Sequence, residues 1–131
     1  MPTINQTETF VNTNTQELYN LLMDSALHAS FTGDEATIST EVGGTYSAYG
    51  GYSTGKNIEL VPGKRIVQTW RASDWPEEVE STCMYEFEQI GNDAIIKFTQ
   101  TGVPYDQEES ITQGWIDFYW EPIREYLAGK Y

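Results

Sequence analysis

The sequence contains little of what several common kinds of protein chemistry require. It has one cysteine, Cys83, and one histidine, His28. A single thiol excludes an internal disulfide and is typical of a reducing compartment, so we predict a cytoplasmic location. No apolar run approaches the roughly 18 residues of a membrane-spanning helix, and the N-terminal residues lack the basic and apolar stretches of a secretion signal.

Positive charge is also scarce. The 131 residues include 7 basic and 20 acidic side chains, which gives a net charge of −13. Such a surface repels the phosphates of nucleic acids and anionic lipids, so we exclude nucleic acid and membranes as partners. The densest acidic cluster, Glu77, Glu78 and Glu80, lies beside Trp75. We expect Trp75 to be an exposed loop residue that serves as a lid over a cavity, contacts a partner or folds onto a helix end.

The polar side chains form no recognisable catalytic or metal-binding set. The carboxylates lack ligand-like spacing, and no Ser-His-Asp arrangement is evident. Gly43, Gly44, Gly50, Gly51 and Gly55 lie among strand patterns, where they indicate bends and bulges and not a phosphate-binding loop. We therefore predict no metal site, no cofactor and no enzymatic activity.

The two residues with the most reactive side chains are expected to be structural. We expect His28 to be a partly exposed residue of a short helix. Cys83 shares a strand face with Tyr85 and Phe87, which predicts a buried, inert thiol with a raised pKa.

The first third of the chain predicts a strand followed by two short helices, within one domain that covers residues 1–131. Residues 3–12 alternate weakly, as in a strand. Asn14 precedes Glu17 by three positions, as an N-cap does, and leucines follow at helical spacing. Ser25 is expected to cap the second helix, and Gly33 is expected to end it.

From residue 36 the hydrophobic period changes to two, which predicts a meander of antiparallel strands. Tyr46, Ala48 and Gly50 alternate on one of these strands. After Thr101-Gly102-Val103-Pro104 an aromatic-rich helix follows, with Asp106 as the expected N-cap. Its predicted apolar face carries residues at helical spacing: Ile111, Trp115, Phe118 and Pro122.

Two residues of the last helix are unusual for a helix interior. Gly114 costs about 1 kcal/mol relative to alanine, and we expect it to permit close approach of the helix to the sheet. Pro122 removes one backbone hydrogen bond, and we expect it to kink the helix so that it follows a curved sheet.

Several short motifs occur in a characteristic order along the chain: Gly43-Gly44-Thr45-Tyr46, residues 55–60, residues 64–71, Trp75-Pro76, residues 101–104 and residues 114–120. Together they resemble a known family, the C-terminal domains of activators of the 90-kDa heat-shock chaperone's ATPase, which belong to the START-like (SRPBCC) superfamily. The resemblance covers about residues 10–127.

The resemblance implies an α+β helix-grip fold. In that fold a curved antiparallel sheet of about six to seven strands wraps around a long C-terminal helix, with two short helices after strand 1. It also implies a cavity between the sheet and the helix, and a link to chaperone regulation. Full activators carry a further N-terminal domain that binds the chaperone's middle segment, and we expect 131 residues to leave no room for it.

The inward face of the predicted sheet and helix mixes aromatic and polar side chains, which is typical of small-molecule sites. The same polar groups could instead bond one another or the backbone in a filled core, and both interpretations are open. The candidate ligand-binding residues are Tyr46, Gln68, Trp70, Tyr85, Phe98, Gln100, Trp115 and Tyr119.

These observations give one main interpretation and two alternatives. The main one is a non-enzymatic domain that holds a small hydrophobic ligand in the cavity between sheet and helix. The first alternative is a co-chaperone-like module that binds the 90-kDa heat-shock chaperone. The second is a START-like cyclase or hydrolase, which would require Glu41 or Asp117 to point into the cavity. The oligomeric state stays open.

Overall fold

A computed structural model describes residues 2–130, which form seven strands, two short helices and a long C-terminal helix. The strands are β1 (Ile4–Phe10), β2 (Thr37–Ile38), β3 (Thr45–Ala48), β4 (Ser53–Val61), β5 (Arg65–Ala72), β6 (Ser81–Ile90) and β7 (Asp93–Thr101). Helices α1 (Thr15–Met23) and α2 (Ser25–Thr32) lie between β1 and β2. The C-terminal helix consists of α3 (Glu108–Trp115), a π-helical turn (Ile116–Trp120) and α4 (Glu121–Lys130).

The strands form one sheet in the order β1-β7-β6-β5-β4-β3-β2, and every neighbouring pair is antiparallel. Strands β2 to β7 are therefore a meander, and β1 joins its far edge with Ile4 opposite Gln100. A register shift between Asn57 and Glu59 marks a bulge, a feature that bends a sheet. The curved sheet wraps around the C-terminal helix, which confirms the predicted helix-grip fold.

The core is centred on Trp115, whose indole lies between the sheet and the rest of its own helix. Its ring centroid is 4.4 Å from that of Phe98 on β7 and 4.6 Å from that of Tyr119. It also stacks on Trp120 at 5.7 Å. Aromatic side chains bury a large apolar area each, so this cluster holds the helix in the concave face of the sheet.

The caps of α1 and α2 were only partly predictable. Asn14 caps α1 as expected, since its side chain accepts a hydrogen bond from the Glu17 amide at 2.8 Å. The prediction that Ser25 caps α2 is wrong. Asp24 is the cap and accepts from the Leu27 amide at 2.9 Å. Gly33 ends α2 in a left-handed conformation with φ of +76°, as predicted.

The C-terminal helix begins later than predicted, and part of its apolar face is displaced. Asp106 lies in a short 3-10 turn, and α3 begins at Glu108 without a side-chain cap. The prediction that Phe118 faces the core is wrong, because its side chain is 56% exposed. The π-helical turn explains the change. The Glu121 amide bonds to the Ile116 carbonyl five residues earlier, and the extra residue rotates Trp120 inward in place of Phe118.

None of the helices in the described part of the chain has the length and apolar character needed to span a membrane.

Candidate functional site

A cavity of about 430 Å³ lies between the C-terminal helix, β5 and the segment that joins β3 to β4. Tyr52, Ser110 and Phe118 are exposed, so the cavity opens to solvent beside these residues. Its walls are formed by six aromatic residues and four small or aliphatic ones: Tyr49, Tyr52, Trp70, Trp115, Phe118, Tyr119, Ser53, Ser110, Ile111 and Gly114.

One wall is the turn from Tyr49 to Tyr52, which we call the aromatic strap. The prediction that Gly50 continues a strand is wrong, because Tyr49, Gly50 and Gly51 all have positive φ angles of 53°, 64° and 97°. Glycine adopts this conformation without strain, whereas a tyrosine does not and must be held there by other contacts.

A hydrogen bond from Tyr49 holds the aromatic strap against the C-terminal helix. The Tyr49 hydroxyl donates to the backbone carbonyl of Phe118. In an α-helix that carbonyl would accept from the amide of residue 122, but Pro122 has no N–H to donate. The proline and the π-helical turn therefore leave a carbonyl that the strap can use.

The polar atoms of several cavity-lining rings point away from the cavity or are covered. Trp115 donates its indole N–H to Gln100 Oε1 at 2.7 Å, and the Tyr119 hydroxyl bonds to His28 Nε2 at 3.0 Å. The indole nitrogen of Trp70 is buried and has no hydrogen-bond partner among the described residues. These rings therefore present mainly carbon to the cavity.

The predicted ligand-binding residues fall into two groups. Trp70, Trp115 and Tyr119 line the cavity. The other five are buried but do not line this cavity: Tyr46, Gln68, Tyr85, Phe98 and Gln100.

Gln100 and Gln68 each take part in a buried hydrogen-bond network. Gln100 accepts from Trp115 and donates to Ser81 Oγ at 2.9 Å, and Ser81 donates to the Trp70 carbonyl at 2.8 Å. Gln68 donates to Asn57 Oδ1 at 3.0 Å. These side chains bond to other protein groups, as buried polar groups usually do.

The polar group of Tyr46 is also bonded to the protein, because its hydroxyl donates to the Thr69 carbonyl at 2.6 Å. Its ring lies against Gly55, where an added Cβ atom would come within 1.9 Å of the Thr69 carbonyl oxygen. Only glycine fits this close approach of β4 and β5.

His28 differs from the sequence-based expectation. It is 3% exposed, so the prediction of a partly exposed residue is wrong. Its ring packs against Phe31 at 4.9 Å and Tyr119 at 5.3 Å. Burial lowers its pKa from 6.5 to about 4, so the imidazole is neutral at pH 7. Cys83 is fully buried, as predicted, and burial raises its pKa.

Trp75 also differs from the expectation. Its side chain is 5% exposed, so the prediction of an exposed loop tryptophan is wrong. Its ring packs edge-on against Trp70 at 5.3 Å, and its backbone carbonyl accepts from Arg71. Trp75 thus supports the back of one cavity wall.

The described residues that line the cavity include no carboxylate, histidine or cysteine. Glu41 and Asp117 are both exposed and lie outside the lining set. Nowhere in residues 2–130 do three His, Cys, Asp or Glu side chains come close enough to hold a metal ion. The lining supplies apolar contact and not acid–base chemistry.

Sequence reasoning missed much of the cavity wall, notably Tyr49, Tyr52, Gly114 and Phe118. Two local signals could have indicated it. The sequence Tyr49-Gly50-Gly51-Tyr52 is a turn motif with an aromatic residue at each end. Pro122 lies four residues after Phe118, which frees that carbonyl in a helix. The expectation that Gly114 permits close approach of the sheet is wrong, since an added Cβ would meet only the Phe118 ring, at 3.9 Å.

Similar solved structures confirm the fold over nearly the whole chain. An Hsp90 activator from Plasmodium falciparum superposes with a TM-score of 0.89, covers 96% of both chains and is 25% identical in sequence.

Curated relatives are similar at the sequence level. The human activator of 90 kDa heat shock protein ATPase homolog 1 is 33% identical over 118 residues, which are 90% of this chain and 35% of the human protein. The Dictyostelium discoideum activator of 90 kDa heat shock protein ATPase homolog is 36% identical over 100 residues, which are 76% of this chain and 26% of that protein. The chain therefore spans about a third or less of the length of these curated relatives.

The family described as "Activator of Hsp90 ATPase homolog 1-like protein" matches residues 12–128. That range includes both short helices, strands β2 to β7, the aromatic strap and nearly all of the C-terminal helix. The chain belongs to this family of Hsp90 ATPase activator homologs.

Proposed function

We propose that this domain is a co-chaperone-like module that binds a 90-kDa heat-shock chaperone and stimulates its ATPase activity. The observation that carries the proposal is the similarity to the Plasmodium falciparum Hsp90 activator, which extends over 96% of both chains. The solved chain of that Hsp90 activator has nearly the same extent as this domain. The names of the curated relatives support the same function.

The test is an ATPase assay on the Hsp90-type chaperone from the same organism, with this protein added in increasing amounts. We expect the turnover rate of the chaperone to rise and then saturate as the complex forms. A specific Hsp90 inhibitor is added in parallel, so that contaminating ATPases can be subtracted. An unchanged turnover rate, together with no binding by calorimetry, would contradict the proposal.

The cavity supports a second candidate function, the binding of a small hydrophobic molecule. The specific observation is a space of about 430 Å³ with six aromatic residues in its walls. Ligand pockets are commonly of this size and mostly apolar. The lining has no acid–base pair, which favours binding without catalysis.

A thermal-shift screen with lipids and aromatic metabolites tests this second function. Because a ligand that binds only the folded state stabilises it, we expect the melting temperature to rise with ligand concentration. Native mass spectrometry of the purified protein would detect a molecule that is already bound. No stabilisation by any member of the screen would count against the cavity as a ligand site.

A further inference from the structure

The walls of the cavity consist mainly of aromatic rings. Of its six rings, four have their polar atoms covered or occupied by other protein groups, namely Tyr49, Trp70, Trp115 and Tyr119. The Ser110 hydroxyl also donates to a protein group, the backbone carbonyl of Gln107 just before α3, at 3.1 Å. The hydroxyls of Tyr52 and Ser53 are the polar groups left in the lining, and the rings of Tyr52 and Phe118 are exposed at the mouth of the cavity.

Two carboxylates lie near the cavity, those of Asp34 and Asp74. Lysine and arginine are absent from the described lining residues. Asp34 lies beside the aromatic strap, with Oδ1 3.3 Å from the position that a Cβ atom on Gly50 would occupy. On the other side, Asp74 follows Ser73, whose amide donates to the Tyr52 carbonyl at 2.7 Å.

Both tyrosines of the aromatic strap have raised pKa values, mainly because they are buried and further because of these carboxylates. Burial raises the pKa of Tyr49 to about 12, with a further contribution from the charge of Asp34. Burial raises the pKa of Tyr52 as well, with a contribution from Asp74. His28 lies behind Tyr119 and is neutral at pH 7, so it places no positive charge beside the cavity.

Four of the seven basic side chains bond to other protein groups and lie outside the cavity lining. Arg65, Lys97 and Arg124 form ion pairs with glutamates elsewhere on the surface. Arg71 donates to the carbonyls of Trp75 and Pro76. With a net charge of −13, the protein attracts cations and repels anions over its surface as a whole.

We propose that the cavity binds a small apolar cation, such as a quaternary ammonium or protonated amine carried on an aromatic or aliphatic skeleton. The proposal rests on the second function above and specifies the class of ligand. The apolar skeleton fills the space next to Ile111 and Gly114, and the cationic group lies against the ring faces near the mouth. A cation over aromatic faces is stabilised by their electron density, and an anion is not.

Three probes that share a naphthylmethyl group test the proposal. They are (naphthalen-1-ylmethyl)trimethylammonium, its uncharged carbon isostere 1-neopentylnaphthalene, and the anion naphthalene-1-acetate. Each is titrated into the ¹⁵N-labelled full chain, and the amide signals of Gly50, Gly51 and Gly114 report binding in the cavity. We expect the dissociation constant of the cation to be about two- to thirty-fold lower than that of the isostere, and that of the anion to be the highest.

Charge variants show whether the two aspartates contribute. Asp34→Asn and Asp74→Asn are each expected to weaken the binding of the cation about two- to five-fold and to leave the binding of the isostere unchanged. Glu125→Gln is the matched control, because it removes the same charge from an exposed position on α4. The control is expected to change neither dissociation constant.

The possible failures are distinguishable. If the isostere binds as tightly as the cation, or if the anion binds best, the inference about charge is wrong and the hydrophobic-ligand function stands. If none of the three probes shifts the glycine signals, the inference is overturned and the cavity loses support as a ligand site. The chaperone ATPase assay is a separate experiment, and neither of these outcomes decides the proposed co-chaperone function.

Discussion

The buried imidazole of His28 connects helix α2 to the C-terminal helix. Its Nε2 bonds to the Tyr119 hydroxyl at 3.0 Å, while its Nδ1 is buried without a hydrogen-bond partner in the described structure. Tyr49 and Phe31 also pack against the ring, at 6.4 and 4.9 Å between centroids. These neighbouring side chains are all uncharged at neutral pH, so none of them stabilises a protonated imidazole.

His28 is therefore expected to make the fold sensitive to mild acid. Its pKa is about 4 in the folded protein and 6.5 in an ordinary environment, so the unfolded chain binds more protons between these values. The free energy of unfolding thus falls as the pH decreases from 6.5 towards 4, by up to about 3 kcal/mol.

Chemical denaturation at several pH values measures this effect. The variant His28→Gln keeps a hydrogen-bonding group near Tyr119 and does not titrate, so it is expected to lose this part of the pH dependence. The two proteins contain the same carboxylates, so the difference between their pH profiles isolates the histidine. Parallel pH profiles for the two proteins would contradict the prediction.

For single residues, strand alternation predicts which side chains point into the protein, but it does not predict whether they reach the cavity or bond to other side chains. Gln68, Trp70 and Gln100 are buried, as the period of two predicts. Only Trp70 reaches the cavity, because Gln68 and Gln100 are bonded to neighbouring side chains. Those partners come from strands and helices distant in sequence, so a local pattern carries no information about them.

The elements around the cavity depend on one another through the π-helical turn. Pro122 and this turn leave the Phe118 carbonyl without an α-helical partner, and the Tyr49 hydroxyl occupies it. That bond keeps a non-glycine residue in a left-handed conformation at the head of the aromatic strap. The strap is thus attached to the helix by one side-chain hydrogen bond and by ring contacts.

Tyr49→Phe is expected to loosen the aromatic strap and leave the rest of the fold intact. The change removes only the hydroxyl, so the free energy of unfolding should fall by about 0.5–1.5 kcal/mol, the usual contribution of one hydrogen bond. Hydrogen exchange of the Gly50, Gly51 and Tyr52 amides should accelerate. Tyr105→Phe is the matched control, because the Tyr105 side chain is 78% exposed. Equal exchange rates in both variants would show that the hydroxyl does not hold the strap.

Gly114 maintains the space inside the cavity at some cost to helix stability. An added methyl group would meet only the Phe118 ring, at 3.9 Å, so Gly114→Ala is sterically tolerated. We expect it to raise the free energy of unfolding by up to about 1 kcal/mol through helix propensity, and to weaken the binding of hydrophobic probes because it narrows the cavity.

Calorimetric unfolding and probe titration on the same variant separate these two effects. Gly129→Ala on α4 is the control, since nothing lies within 4 Å of its added methyl group. The control should leave probe binding unchanged. A stabilised Gly114→Ala variant with unaltered probe affinity would show that binding takes place elsewhere.

The sequence predicts the C-terminal helix but not which of its residues point inward after the π-helical turn. A spacing of 3.6 residues places Phe118 and Pro122 on the same face as Trp115, and it predicted the apolar helix itself correctly. The observed inward residues are Trp120 and Ile123, because the π-helical turn inserts one residue. A π-helical turn changes the phase of the helix at one point, and a uniform spacing of 3.6 residues does not predict where that point lies.

At the scale of the whole molecule, the excess of negative charge governs how the proposed chaperone contact forms. A net charge of −13 repels acidic surfaces at long range and steers the protein towards a basic surface on its partner. Electrostatic steering acts mainly on the association rate, whereas short-range contacts set the dissociation rate. The association rate with the chaperone is therefore expected to fall by about ten-fold or more between 50 and 500 mM salt, with little change in dissociation.

Stopped-flow measurement over that range of ionic strength tests the prediction, and a charge variant locates its origin. Glu77 and Glu78 are both exposed in the loop between β5 and β6. The double variant Glu77→Gln and Glu78→Gln removes two charges without altering a buried contact. If this loop faces the chaperone, the variant should associate more slowly and show a weaker salt dependence than the same pair of changes at Glu108 and Glu109 on α3. An association rate that does not change with salt would mean that apolar contact, and not charge, directs the encounter.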